Sequence, residues 1–397
     1  MTTEWIQLEP IDVVSFRGNH LFAGSAHGAA LMPPWPSVFS GALRSRMLVD
    51  AGVDPHAFAR GKAGDARVEQ VLGSPDEPGS FGVVAVGIRA VVPPLTEDGE
   101  RDRARAVTDV WFPAPADLLV VDDEVGRLFA EPMRPVPFDA LRARGSAPLS
   151  HVPVARMGGR RKPATGAFIG ARGLAMHLRG ERPAGEHLCR SSDLWKRQTR
   201  VGIGLDAGTR SVEEGLLYSA DAICLAPASD PTRDACGAFV VGTRGGGDLL
   251  PRGGLVRLGA DGRAARVAPC EAGHLAALSH PGAIDRRFRV VLATPGVFGG
   301  GWRPPGIGDD NVLEHRSMRA RLVCAAVGRA GVVSGWDLAN WRPKLAERVV
   351  AAGSVYWFEV EEGDPAEALA DLGENGWWAV MDDQHRARWA TRRAEGF

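Results

Sequence analysis

The sequence predicts an α+β protein, and three observations carry that prediction. Residues 3–14 alternate (Trp5, Ile6, Leu8, Ile11, Val13) as a half-buried strand does. A proline run at Pro33, Pro34 and Pro36 then feeds a helix, because proline fixes φ and keeps the residue before it extended. A β-branched run over 81–92 (Val83, Val84, Val86, Ile88, Val91, Val92), bounded by Gly82 and Pro93, reads as a buried strand. Strand, helix and further strands in this order are compatible with a βαββαβ unit.

The chain has 397 residues, which suggests two or three domains; 45% hydrophobic and 24% charged residues allow a substantial core. The 50 glycines and 28 prolines raise the share of loops without approaching a low-complexity composition. A formal charge of −1 gives no overall basic field, so RNA binding must use local patches and double-stranded DNA is not an expected partner. Cys189, Cys224, Cys236, Cys270 and Cys324 form no Cys-x-x-Cys pair, against both a disulfide framework and a zinc site. No apolar run reaches the roughly 18 residues that suggest a membrane span, and the first residues lack a basic region followed by an apolar one. No membrane association and a cytoplasmic location are expected.

Residues 15–34 read as a long loop with Gly18, Gly24 and Gly28, carrying Arg17, His20 and His27. Such a loop, ending at a helix N-terminus, suits a phosphate; the alternative is a surface loop with no ligand. In the helix that follows, Ser37 is the expected cap. Val38, Phe39, Ala42, Leu43, Met47 and Val49 form an apolar arc with Arg46 inside it, a guanidinium that needs a partner. Gly41 and Ser45 leave a slim side, near which Arg44 projects.

Residues 58–79 are polar, with a helical turn at 67–72, and 107–112 and 118–121 are strand candidates broken by Pro113 and Pro115. Residues 140–180 then hold Arg142, Arg144, Arg156, Arg160, Arg161, Lys162, Arg172 and Arg179 and no acid, in a chain that is neutral overall. Its Gly- and Pro-rich first part is expected to be a long irregular loop, either contacting phosphates or simply solvated. Over 200–218, two strands with a Gly- and Asp-rich connection suggest a hairpin with Arg200 and Arg210 near its ends. Gly202-Ile203-Gly204 is not a dinucleotide loop, because the next Gly is at 208 and Glu213-Glu214 precede a strand where a crossover helix is required.

From 222 onward strands dominate: 222–226, 238–242, 255–258 and 289–293, with a short helix at 271–279. The glycine-rich loop 294–305 ends in Trp302-Arg303, where the indole is either a stacking platform for a base or a plug at a core edge. A strand at 353–358, a helix at 365–372 and a strand at 377–381 complete a second βα layer. Gly308-Asp309-Asp310 resembles a metal-binding acid pair but lacks a flanking strand on its N-terminal side. The ten histidines show no His-x-x-x-His or His-x-His pair, and no Walker loop or Gly-x-Ser-x-Gly elbow is present. No catalytic residue, metal or cofactor is expected.

Several motifs together carry a resemblance. They are Glu9-Pro10-Ile11-Asp12, Phe16-Arg17, Leu21-Phe22-Ala23-Gly24-Ser25, Pro33-Pro34-Trp35-Pro36-Ser37 and Gly41-Ala42-Leu43-Arg44-Ser45. Lys162-Pro163 with Gly166-Ala167-Phe168-Ile169, Arg200-Val201-Gly202-Ile203-Gly204-Leu205-Asp206 and Gly215-Leu216-Leu217-Tyr218 continue the series, as do Gly301-Trp302, Ser334-Gly335-Trp336-Asp337 and Ala352-Gly353-Ser354-Val355-Tyr356. The set resembles the third-subunit family of the Cmr effector complex of type III-B CRISPR systems, within the RAMP superfamily. Two departures stand out: Gly18 replaces an acid after Arg17, and 229–269 matches nothing in the family pattern.

The resemblance implies two ferredoxin-like (RRM-like) domains, 1–200 and 201–397, with long Gly/Pro-rich insertions. It implies a non-catalytic scaffold in antiviral defence that holds the 5′ repeat-derived tag of the CRISPR guide RNA. Its implied protein partners are the large palm-domain subunit and an adjacent backbone RAMP subunit. By motif and charge, the candidate RNA-binding residues are Arg17, His20, Arg44, Arg46, Arg160, Arg161, Lys162, Arg200, Arg210, Trp302 and Arg303. Two alternatives are a metal-independent RAMP endoribonuclease using His20 or His27 as acid or base, and the equivalent tag-binding subunit of a type III-A complex.

Overall fold

A computed structural model of the chain describes residues 3–17, 27–28, 30–62, 65–75, 77–226, 237–270, 273–278, 284–337 and 342–396. Its largest element is an eight-stranded sheet in the order Leu188–Arg190, Ala167–Gly170, Val107–Pro113, Gly82–Val92, Ala238–Arg244, Glu4–Pro10, Ala264–Pro269, Leu255–Arg257. Every neighbouring pair is antiparallel. Alternation places Phe239 and Val241 on one face with Ile6 and Leu8, and Val240 on the other.

The first face is covered by the helix Pro36–Asp50, which buries Phe39, Leu43 and Met47 completely. Each such side chain contributes about 1.5–3 kcal/mol, so Leu43→Ala costs about 2–5 kcal/mol. The opposite face is covered by the helix Ala171–Leu178 and the 3₁₀ turn Gly273–Leu278, through Ala171 and Leu275. The helix starts at Pro36, with Trp35 as its cap and no side-chain capping bond, so Ser37 does not serve as the cap. Proline at the first helical position has no N–H to satisfy. Val49 lies outside the buried arc at 59% exposure, and Leu48 is buried in its place.

A second sheet runs Arg287–Val291, Val355–Glu362, Met318–Ala326, Val312–His315, all antiparallel. The helix Pro365–Asn375 closes one face through Ala368 and Leu372 against Leu322, Tyr356 and Phe358. Asp364 caps this helix by accepting from the Ala366 N–H at 3.0 Å. Gly376, at φ 62°, ends it, and the expected strand at 377–381 is instead the 3₁₀ turn Gly376–Val380, because Trp377 turns back into the core.

The architecture is therefore α+β, mostly strands in antiparallel sheets. Strands 238–244 and 264–269 complete the sheet begun by 4–10, so that sheet draws on both sides of the expected division at 200/201. The hydrophobic runs on either side of that division pair with each other across an insertion of more than a hundred residues. A third element, the hairpin Trp195–Leu205 with Val212–Leu225, pairs at its base in parallel with His27–Gly28. The segment 140–180 is more ordered than a loop. It contains strand His151–Val154, which pairs with Arg134–Pro137, then the core strand Ala167–Gly170 and the helix Ala171–Leu178.

The two main units are tied by a helix that the sequence pattern did not reveal, Asp383–Ala394, whose Trp389 is buried beside Val333 and Val349. The carbonyl of Ala394 accepts 2.5 Å from the hydroxyl of the fully buried Ser40 on the first helix.

Candidate nucleic-acid interface

The basic stretch narrows to a solvent-facing loop at 155–166, held at both ends. Pro163 bridges to Val121, and the Ala164 N–H donates to the Val120 carbonyl at 2.8 Å. Arg156, Arg160 and Lys162 are exposed on it, and no acid lies within 140–180. Arg161, also exposed, is anchored: its guanidinium donates to the Asp122 carbonyl at 3.0 Å and lies 5.2 Å from the Phe129 ring centre. Ahead of the loop, the Asn311 amide donates to the Pro148 carbonyl at 2.5 Å and Leu149 packs on the core of the second sheet. The loop is thus mounted across both units, which limits the entropy lost when it meets a ligand.

The hairpin carries Arg200, exposed with a 3.5 Å contact to Gln198, and Arg210, exposed at the turn with φ 54°. Asp206 builds that turn, its Oδ1 accepting from the N–H groups of Thr209 (2.7 Å) and Gly208 (3.0 Å) and from the Thr209 hydroxyl (2.8 Å). These bonds, the Thr209 N–H first, hold the Asp206 carboxyl below its ordinary range. The Tyr218 ring lies across Gly202: a β-carbon there would come within 2.4 Å of the ring, so a larger residue requires the tyrosine to move aside. One face of the hairpin exposes Val201, Ile203, Leu205, Val212 and Leu217.

Other expected residues sit in different settings. Arg17 pairs with Asp261 at 3.7 Å, both side chains about 60% exposed. His20 lies outside the described residues, as does the side chain of His27. Arg46 donates to Asp50 Oδ1 and to the Leu255 carbonyl, both at 2.7 Å, so its position within the apolar arc is satisfied by the edge of the main sheet. Arg44 points inward: its Nη1 is buried without a hydrogen bond, and burial lowers its pKa against the opposing pull of Glu395. Glu395 is also paired with Lys344 and, at 2.9 Å, with Arg392. Trp302 packs on the second core while its carbonyl accepts from the Tyr356 hydroxyl at 2.7 Å, the core-edge alternative. Arg303 is engaged with the Gly308 carbonyl (3.1 Å) and Asp309 (3.2 Å).

Asp309 and Asp310 themselves shape a turn, Asp310 Oδ1 accepting from the Val312 N–H at 3.2 Å. Among the described residues no group of three or more His, Cys, Asp and Glu is arranged to hold a metal ion. Sequence reading missed a buried cluster, Asp117 with His177 and Arg289, whose members lie 60 and 172 positions from Asp117 with no local signal to join them.

Fold and site together define an α+β protein of large antiparallel sheets that presents an anchored basic loop and a projecting hairpin. Over 99% of its length the chain is similar to a chain in the "Cryo-EM structure of the Type III-B Cmr-beta bound to cognate target RNA and AMPPnP, state 1". There the TM-score is 0.51, the identity 13% and the share of that chain covered 95%. A second structure, the same assembly "bound to cognate target RNA", gives a TM-score of 0.48 at 14% identity, with 99% and 95% of the two chains covered. No curated protein matches the chain. The family model of CRISPR-associated protein (Cas_Cmr3) matches residues 6–385, and the chain belongs to that family, the third subunit of type III-B Cmr complexes.

Proposed function

We propose that this chain is a non-catalytic scaffold that binds the guide RNA of a type III-B CRISPR effector and holds its 5′ repeat-derived tag. The observation that carries the reading is the 155–166 loop: Arg156, Arg160 and Lys162 are exposed on an anchored support, and none of the three is ion-paired with a described acid. Cations so placed contact phosphates and leave base identity unread, which suits a single strand whose sequence is constant. Arg200 and Arg210 on the hairpin supply a second group. Arg46 and Arg303, held by protein atoms, and Arg44, buried toward Glu395, support the scaffold.

The ferredoxin-like reading draws on strand order. Ala264–Pro269, Glu4–Pro10, Ala238–Arg244 and Gly82–Val92 lie side by side with the helix Pro36–Asp50 crossing between the second and the fourth, as in a βαββαβ unit. The second sheet has four strands and a packed helix in a different order, so for that unit the reading rests on family membership. Pairing with the large palm-domain subunit, a place beside a backbone RAMP subunit and a cytoplasmic setting follow from the same membership, as parts of this proposal.

Co-expression with the palm-domain subunit tests it: a heterodimer that retains tagged guide RNA is expected, and a chain that purifies alone and free of RNA sinks the reading. Incubation with repeat RNA in the absence of metal is expected to leave the RNA intact. A product that disappears on changing His20 or His27 establishes the endoribonuclease instead.

A further inference from the structure

Between the two main sheets lies a cleft of about 1330 Å³, larger than the roughly 300–1,000 Å³ of a small-molecule pocket. One wall is the whole strand Arg287–Val291, an edge strand whose one partner strand among the described residues is Val355–Glu362. The ladder fixes which way its main chain points. The Val360 N–H donates to the Arg286 carbonyl and the Leu292 N–H to the Ser354 carbonyl, so even-numbered residues face the neighbouring strand. The N–H and C=O groups of Arg287, Arg289 and Val291 therefore face away from it, and no backbone partner takes them among the described residues.

The opposite wall is also open. Gly82–Val92 pairs with Val107–Pro113 only from Ile88 onward, because the latter strand swings away at Trp111 to pair with Ala167–Gly170. That fork leaves 82–87 paired on one side only, with Phe112 at the split. Five arginines line the cleft: Arg289 is bound to Asp117, Arg179 to Glu181 and Arg287 to Glu359, whereas Arg244 donates to the carbonyls of Gly373 and Glu374 and Arg393 to the Asn375 side chain. The Arg287 side chain is 81% exposed although it touches Glu359 at 3.0 Å.

We propose that this cleft receives an extended polypeptide strand, alternating apolar and acidic residues, which pairs with the open edge of Arg287–Val291. Unpaired edges are templates for strand addition, and native proteins normally cover or blunt them. An added strand would lie about 4.8 Å from the edge and meet its three outward N–H and C=O pairs in register. RNA has no matching ladder of donors and acceptors at that spacing, whereas a peptide does. Arg244 and Arg393, the two cleft arginines with no carboxylate in salt-bridge contact among the described residues, favour acidic side chains on the solvent face, and the aliphatic walls at Val290 and Leu292 favour apolar ones on the other.

The probe is a fluorescein-labelled hexapeptide alternating Glu and Val, titrated by anisotropy against the full chain, beside a copy N-methylated at alternate amides and a labelled oligouridylate. Saturable binding of the plain peptide is expected, with the methylated copy weaker by roughly tenfold, since it cannot complete the ladder. Val291→Pro, which removes one outward N–H from an edge strand, should bring a similar loss. Arg287→Glu with Arg393→Glu should weaken the plain peptide at low salt. If Val291→Pro fails to fold, the methylated peptide on the unaltered chain still decides. Equal affinity for the two peptides overturns the proposal, as does absence of saturation at millimolar peptide. Preferential oligouridylate binding that the same arginine substitutions abolish overturns it too, and makes the cleft an RNA channel.

Discussion

Nη1 of Arg289 lies 2.5 Å from Oδ2 of Asp117, and the other oxygen of that carboxylate lies 2.7 Å from Nε2 of His177. Asp117 and His177 are fully buried, and Arg289 also donates to the His177 carbonyl. Arg289 belongs to the second sheet and its partners to the insertion on the first, so this cluster fixes how the units meet. Removing one partner leaves a buried charge uncompensated. Arg289→Met should cost about 3 kcal/mol in chemical denaturation. A loss below about 1 kcal/mol would show that water reaches the carboxylate.

Arg46 has the opposite character. Its bonds to Asp50 and to the Leu255 carbonyl lie at the protein surface, where such contacts contribute about 0.5–1.5 kcal/mol. Arg46→Met should therefore lower stability by about 1 kcal/mol and leave guide-RNA retention unchanged. Release of the RNA by this substitution would return Arg46 to the binding surface.

These two arginines show what the sequence made legible and what it did not. Elements written in local chemistry were readable: the alternating first strand, the proline-fed helix, the β-branched 82–92 strand and the 200–218 hairpin all form close to their expected places. The helix 383–394 escaped notice because its polar composition hides a face that buries little besides Trp389, Arg392 and Ala394. Partnering was unreadable, since Arg46 meets the Leu255 carbonyl and Arg17 meets Asp261 across more than 200 residues. Arg160 and Lys162 lie exposed in an acid-free run, a local feature that needs no distant information to be recognised.

Asp371 sets an acid limit on the second unit. The Asn375 amide at 2.6 Å holds its carboxyl below the ordinary range, assisted by Arg316 and by His315 at 2.8 Å. A depressed folded-state pKa contributes stability above the unfolded value, about 3.9, and loses it as pH falls through the folded value. Asp371→Asn should flatten the acid limb of a stability-against-pH curve below about pH 4. An unchanged limb would show that the bonds to His315 and Arg316 form too loosely to matter.

The thiols separate by burial. Cys324 is fully buried and its pKa is pushed up to about 12 by desolvation; Cys189 is raised in the same way. Cys224 is exposed on the hairpin. Iodoacetamide at neutral pH should modify Cys224 early and reach Cys324 and Cys189 only on unfolding, as read by peptide mass spectrometry. Early labelling of Cys324 would mean that the second sheet opens locally.

The loop cations give a prediction with a distinctive signature. Each phosphate contact to single-stranded RNA releases condensed counterions, so log affinity falls with log salt by about 0.7 per contact. Changing Arg156, Arg160 and Lys162 together to Glu should weaken tagged guide RNA and shrink the salt slope by about 2. Fold stability should move by no more than about 0.5 kcal/mol, since these side chains are exposed and bond to no described group. The reversal should act alike on RNAs of scrambled sequence, because phosphate contacts carry no base information. A loss confined to one tag sequence would instead mean that the loop reads bases. An unchanged slope would assign the interface to Arg200 and Arg210, and the same substitution with salt titration at those two positions would then show the missing contacts.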